Sequence, residues 1–177
     1  MKEAVIALGT NLLDRERNLQ IAIEAIKKLP ETVVEAVSSI YETKPFQTPD
    51  PQGDYLNCCV KIKTELSPEM LLGCCLGIES AMGRERPFKN AARIIDLDLL
   101  LYENVTMNTP RLILPHPRIK ERAFVMVPLS DLYPDKVALG LDFNEAIEAI
   151  LVQNGSKCGT AKLYYMLTNI IIRECPK

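Results

Sequence analysis

No run of this chain approaches the roughly 20 apolar residues of a membrane span. Met1-Lys2-Glu3 leads into only a short apolar stretch, so neither a spanning segment nor a signal peptide is expected. A dominant charge is missing too. With 21 basic and 23 acidic residues the formal charge is −2, which gives no broad positive field for nucleic acid or an anionic membrane. Phosphate binding, if present, must be local. No Cys-x-x-Cys pair occurs among the six cysteines, and the single histidine, His116, leaves no zinc spacing. Cys58-Cys59 and Cys74-Cys75 lie in apolar patterns, where a thiol behaves as a small hydrophobe. Together with Cys158 and Cys175 they read as reduced thiols, and the expected compartment is the cytoplasm. Tryptophan, internal repeats and low-complexity segments are absent, and nothing requires a linker, so residues 1–177 read as one domain.

What is present follows two periods. Ala4 to Leu8 is an apolar run ending at Gly9-Thr10-Asn11, a strand and turn. Leu19, Ala22, Ile23, Ile26 and Leu29 share a helical face between the cap Asp14 and Pro30. Val33 to Thr43 is rich in β-branched residues, and Tyr55 to Glu65 places Leu56, Cys58, Val60 and Ile62 opposite Tyr55, Asn57, Lys61 and Lys63, so both read as strands. The Pro-rich segment from Lys44 to Asp54 is too long for a tight hairpin and suits a functional loop. Ser67 caps a second helix with Pro68 in its first turn and the stripe Leu71, Cys75, Ile78, Met82, ending at Gly83. After a basic loop comes the strand Ile94 to Tyr102. The order predicts an α+β fold with a ferredoxin-like βαββαβ core, an antiparallel sheet and two helices on one face. The chain from about Glu103 covers the other face or extends the sheet, with a third helix from Phe143 to Val152. In the C-terminal extension, about residues 154–177, the β-branched and aromatic run Lys162 to Ile172 is expected to pair with a sheet edge of its own or a second subunit.

Asp96-Leu97-Asp98 sets two carboxylates in an otherwise apolar strand. Alternation puts Asp96 and Asp98 on one face and Leu97, Leu99 and Leu101 on the other, in a core. Like charges this close need a divalent cation or an arginine between them, unless the face is simply a solvated strand edge. Arg84, Arg86, Lys89 and Arg93 precede the pair, either as a phosphate-closing loop or as a solvated basic run. His116 is fixed between Pro115 and Pro117 and followed by Arg118, Lys120 and Arg122, which suits an anion site as well as a structural histidine. Tyr55 and Asn57 share a strand face and could read a flat heterocycle or merely decorate a surface.

At these residues the chain resembles the 6-hydroxymethyl-7,8-dihydropterin pyrophosphokinases of folate biosynthesis. The resemblance runs from about Ala4 to Pro134. It rests on Ala7-Leu8-Gly9-Thr10-Asn11, Tyr41-Glu42-Thr43, Asp54-Tyr55-Leu56-Asn57, Glu79 with Gly83-Arg84, Arg93-Ile94-Ile95-Asp96-Leu97-Asp98, and Pro115-His116-Pro117 with Arg122-Ala123-Phe124. It implies an enzyme that moves pyrophosphate from ATP to the pterin, giving the pterin diphosphate and AMP. Two Mg²⁺ ions would sit on Asp96 and Asp98, and Arg84 and Arg93 would join these two as catalytic residues. The ATP site implied is Glu79, Arg84, Arg86, Arg93, Arg111, His116 and Arg122. Thr43, Pro45, Phe46, Tyr55, Asn57 and Phe124 would bind the pterin, with the ring stacked between Tyr55 and Phe124. The partners implied are these small molecules, with no nucleic acid and no membrane; the sequence names no protein partner. Asn90-Ala91-Ala92 stands where many relatives carry Trp-Gly-Pro, which leaves Phe88 as the candidate for the missing indole, and Pro117 replaces a tyrosine of some relatives. Two other classes compete: a ferredoxin-like binding module, which needs no acid pair, and a Mg²⁺-dependent kinase that yields ADP.

Overall fold

The computed structural model describes residues 1–45, 51–85, 88, 91–149 and 162–163. β1 (Lys2–Thr10) leads into α1 (Arg15–Lys27), which starts where the Asp14 carboxylate accepts the Arg17 N–H at 3.0 Å. β2 (Thr32–Val37), β3 (Tyr41–Thr43) and β4 (Tyr55–Thr64) follow. α2 (Pro68–Ala81) is capped by Ser67, whose hydroxyl accepts the Met70 N–H, and the chain leaves it through Gly83 at φ 80°. β5 (Asp96–Tyr102) then completes the βαββαβ order.

In the main sheet the order is β10-β3-β4-β1-β5, with β2 also paired to β4 and β10 being Lys162–Leu163. All its printed pairings are antiparallel. β4 and β5 are separated by β1, as in the ferredoxin-like arrangement expected from the sequence. α1 and α2 cover one face, where Leu8, Leu19, Ile23, Leu56, Ile62, Leu71 and Leu97 join one cluster.

The opposite face carries an element the hydrophobic pattern did not reveal: α3 (Ala123–Leu132), which buries Val125, Met126 and Leu129 against Val5, Cys59, Leu100 and Leu101. Its short, nearly all-apolar sequence with an internal Pro128 offers neither a stripe nor a clean cap. Before it come the short hairpin β6 (Met107–Asn108) and β7 (Ile113–Leu114), and after it β8 (Val137–Ala138) and β9 (Leu141–Asp142). Residues 144–149 are helical, which agrees with the described part of the expected helix from Phe143; its end lies outside the described residues. In the C-terminal run, Lys162 and Leu163 pair with Glu42 and Tyr41 at the β3 edge, and the remainder to Ile172 lies outside the described residues.

The alternation of β5 breaks midway. Val5 pairs with Leu101 but Ile6 with Leu99, so Leu100 is an extra residue on this strand. Leu97 and Leu99 face α1 and α2 as expected, whereas Leu101 joins Leu100 on the α3 side. That corrects the single-face assignment of the three leucines. The bulge also presents the Leu100 carbonyl, which accepts the His116 N–H at 2.8 Å and draws that segment beside the strand.

Candidate active site

The α3 face is only partly covered, and its open end is a cleft. On the floor, Gly9 of β1 lies between Asn57 of β4 and Asp96 of β5, while Ala7 lies between Cys59 and Asp98. Small residues on the central strand keep this floor low. A Cβ at Gly9 would come within 3.1 Å of Asn57 Oδ1, so glycine here preserves the orientation of the amide.

The cleft encloses about 790 Å³ including its open mouth. Of the residues singled out in the sequence, Thr43, Tyr55, Asn57, Arg93, Asp96, Asp98, Arg122 and Phe124 line it. Asn57 Nδ2 donates to Thr43 Oγ1 at 2.9 Å, and the Tyr55 hydroxyl donates to Gln52 Oε1 at 3.0 Å. Arg122, at the start of α3, places its guanidinium 5.7 Å from the centroid of the Phe124 ring and 3.0 Å from Asp98 Oδ2.

Asp96 is held by two arginines. Arg84 Nη1 lies 2.5 Å from its Oδ1 and Arg93 Nη1 2.6 Å from its Oδ2. Burial foremost, then the neighbouring Asp96 charge, pushes the Asp98 carboxyl above the ordinary carboxylate range, against the pull of His116 and Arg122. Burial likewise lowers the His116 pKa, although Asp98 opposes it. Its Nδ1 accepts the Arg118 N–H at 3.2 Å, so the neutral ring carries its proton on Nε2.

Other expected residues sit elsewhere. Glu79 is buried on α2 behind the strand, accepting the Leu97 N–H at 2.7 Å and pairing with Arg84, which in turn pairs with Asp96. Arg84 does not line the cleft but reaches it through Asp96, and its buried Nε has no hydrogen-bond partner among the described residues. Arg111 is exposed between β6 and β7, Pro45 is half-buried beyond Lys44, and His116 flanks the lining without joining it. Phe88 is half-exposed and apart from the lining. Phe46 and Arg86 lie outside the described residues. Lys44 and Arg118 line the cleft without having been among the candidates. Arg118 stood in the basic run after His116, but nothing in the sequence separated it from a solvated charge.

Comparison with known proteins shows the family. The model of the 7,8-dihydro-6-hydroxymethylpterin-pyrophosphokinase family matches residues 5–134, from β1 through α3. The chain belongs to this family. It is 42% identical over 147 residues to the 2-amino-4-hydroxy-6-hydroxymethyldihydropteridine pyrophosphokinase of Methylorubrum extorquens, covering 83% of this chain and 92% of that one. The Bacillus subtilis protein of the same name is 43% identical over 129 residues, covering 73% and 77% respectively. Among solved structures, the wild-type HPPK-DHPS of Plasmodium falciparum with pteroate superposes with a TM-score of 0.68 at 15% identity, over 88% of this chain and 43% of that chain. The chain thus spans less than half of that longer protein, and the likeness concerns the fold. The residues that line the cleft, from Ala7 to Val125, all fall inside residues 5–134.

Proposed function

We propose that this protein transfers the pyrophosphoryl group of ATP to the hydroxymethyl group of 6-hydroxymethyl-7,8-dihydropterin, yielding the pterin diphosphate and AMP in folate biosynthesis. Family membership supports the reaction. The observation that carries the residue assignment is one cleft lined by carboxylates and arginines together with Tyr55, Asn57 and Phe124.

Asp96 and Asp98 fit Mg²⁺: both offer hard oxygen donors on one strand face. Among the described residues no group of three or more His, Cys, Asp or Glu could hold a metal. The remaining coordination positions would fall to phosphate oxygens and water, which is how Mg²⁺ usually meets a nucleotide. When bound, Mg²⁺ neutralises polyphosphate charge and makes the β-phosphorus a better electrophile. Two ions are proposed, held by the Asp96 and Asp98 pair.

The chain's own residues supply position and charge. Arg84 and Arg93 now hold the two Asp96 oxygens, and phosphate oxygens offer the same fork geometry to those guanidinium groups. Arg122, paired with Asp98, and His116, near enough to act on the same carboxyl, offer further donors. Tyr55 and Phe124 would stack the pterin while Asn57 and Thr43 read its polar edge. Glu79 acts by holding Leu97 and Arg84 rather than by touching nucleotide. In the transfer, the hydroxyl oxygen bonds to the β-phosphorus as the bond to the bridging α,β-oxygen breaks. AMP departs with that electron pair, and the hydroxyl proton passes to solvent. No covalent enzyme intermediate is needed; alignment and charge stabilisation suffice.

Chromatography of a reaction with ATP, Mg²⁺ and the hydroxymethyl dihydropterin tests this reading. AMP is expected in step with pterin diphosphate, and chelation of Mg²⁺ should stop both. ADP would identify an ordinary kinase instead.

A further inference from the structure

Arg15, the first residue of α1, reaches the sheet from the α1 side. Its Nη1 lies 2.9 Å from Glu42 Oε1 and donates to the Asp54 carbonyl at 2.8 Å. Glu42 is the middle residue of β3, and Asp54 comes just before β4. One cation therefore ties α1, β3 and the start of β4 together. Lys44 Nζ in turn meets both Asp54 carboxylate oxygens, at 2.8 and 3.1 Å. Lys44 and Asp54 are the two ends of the Pro-rich segment between β3 and β4, so its stem is closed by charge twice over. None of Arg15, Glu42 and Asp54 lines the cleft.

β3 pairs with β4 over only three residues, Tyr41 with Asn57, Glu42 with Leu56 and Thr43 with Tyr55. Alternation sends Glu42 and Leu56 to the α1 side and Thr43, Tyr55 and Asn57 to the cleft. A ladder that short has few backbone hydrogen bonds to fix its end, and the segment beyond it adds the entropic cost of closing a loop. The charge pair supplies what the ladder lacks, and it does so from the face opposite the cleft. The Arg15 and Glu42 side chains are only 27% and 23% exposed, so removing either one leaves a partly desolvated charge as well as a loosened strand end.

We propose that Arg15 is a positioning residue for the pterin: it bolts β3 to the start of β4 from the far face of the sheet and so holds Thr43, Tyr55 and Asn57 at the spacing a flat ligand needs. The inference rests on the reading of these three residues as the pterin site. Without the bolt, the stem has to be ordered when the ligand binds, and affinity falls in proportion to the fraction of molecules already in the competent arrangement. Asp96 and Asp98 stand on β5, which β1 separates from β4, so the nucleotide should not feel the change.

Steady-state rates and calorimetry on the full chain test it. The calorimetry titrates α,β-methylene-ATP plus Mg²⁺ into the protein, and then 6-hydroxymethylpterin into the protein saturated with that ATP analogue. Arg15→Ala should weaken pterin binding and raise the pterin KM about 10-fold, the size expected when a hydrogen-bonded charge pair is lost. Affinity for the analogue, and turnover at saturating pterin, should stay within about twofold of native, because excess pterin selects the competent arrangement. Arg15→Lys keeps the charge and should recover most of the loss. Arg15→Ala/Glu42→Ala removes the stranded carboxylate and should bind pterin no better than Arg15→Ala. If Arg15→Ala does not fold, Glu42→Gln, which keeps the shape and loses the charge, should show the same selective loss at about threefold. Native pterin affinity in these variants, equal losses for both ligands, or recovery of affinity in the double variant overturns the proposal. An unmodified protein that neither binds pterin nor makes AMP would overturn the functional reading itself.

Discussion

The two faces of one sheet are made from the same strands and have opposite fates. Towards α1 and α2, the strands contribute Ile6, Leu8, Leu56, Ile62, Leu97 and Leu99 to the larger buried cluster. Towards α3, alternate residues of those strands give Val5 and Cys59 to a smaller cluster, which Leu101 joins beyond the β5 bulge, and then Ala7, Gly9, Asn57, Asp96 and Asp98 to an open cleft. A period of two thus delivers a dry core and a charged site at adjacent positions. What differs is coverage. α3 buries only part of its face, and where it starts, Arg122 and Phe124 turn from core to cleft.

The comparison breaks most visibly by removing one residue from each face. Asp98→Ala takes away half of the acid pair, so turnover should drop by several orders of magnitude at saturating Mg²⁺ and ATP. Its folding should be nearly intact, because a carboxyl with a raised pKa is one the fold disfavours in its charged form. Ile62→Ala, fully buried on the other face, should show the reverse: a loss of about 2–5 kcal/mol in denaturant unfolding with turnover per folded molecule retained. Rate measurements and unfolding curves on both variants decide this. Wild-type turnover in Asp98→Ala would return the acid pair to the status of an ordinary strand edge.

The next largest effect concerns the border between core and cleft. Phe124 is only partly buried and lines the cleft, whereas Val125 beside it is 1% exposed. Stacking of a flat ring on an aromatic side chain is worth about 1–3 kcal/mol, so Phe124→Ala should weaken pterin binding about 5- to 150-fold. ATP binding should stay close to native. Calorimetry with each ligand separately checks it, and equal losses for both would mean that α3 itself had shifted.

The sequence was legible where a single period or cap dominates. Asp14, Ser67 and Gly83 mark helix ends by their own chemistry, and β4 shows its alternation plainly. α3 was missed because a helix apolar on nearly every side has no periodic signal, and the β5 bulge because nothing in Leu99-Leu100-Leu101 tells one leucine from the next. In the site, residue types that carry chemistry were visible, but their routes of action were not. Glu79 looked like a member of the cleft. Its carboxylate instead reaches the strand from the α2 side, at the Leu97 N–H, and joins the two faces through Arg84. Asn11 stood out only as part of a turn motif, since its partners Gln52 and Arg93 are 41 and 82 residues away. Contacts at that separation leave no local trace in the chain.

The smallest effect offers the sharpest comparison, because nature has placed a reporter on each face at neighbouring positions. Cys58 and Cys59 are adjacent in β4, both essentially inaccessible, with Cys58 in the α1/α2 cluster and Cys59 in the α3 cluster. Burial pushes the Cys58 thiol up to about 12, and burial, with Cys58 and Asp131 nearby, pushes Cys59 well above its ordinary value. At pH 8 a thiol of that kind holds only about one part in 10⁴ as thiolate, so alkylation in the folded protein must wait for local opening. The smaller cluster should open first. Mass mapping during slow iodoacetamide labelling is therefore expected to show Cys59 modified before Cys58. Adding the ATP analogue with the pterin, which would clamp the start of α3, should slow Cys59 selectively and leave Cys58 unaffected. Equal labelling of the two thiols, with equal protection, would mean that both faces open together in one cooperative event and that the partial cover over the cleft carries no difference in local stability.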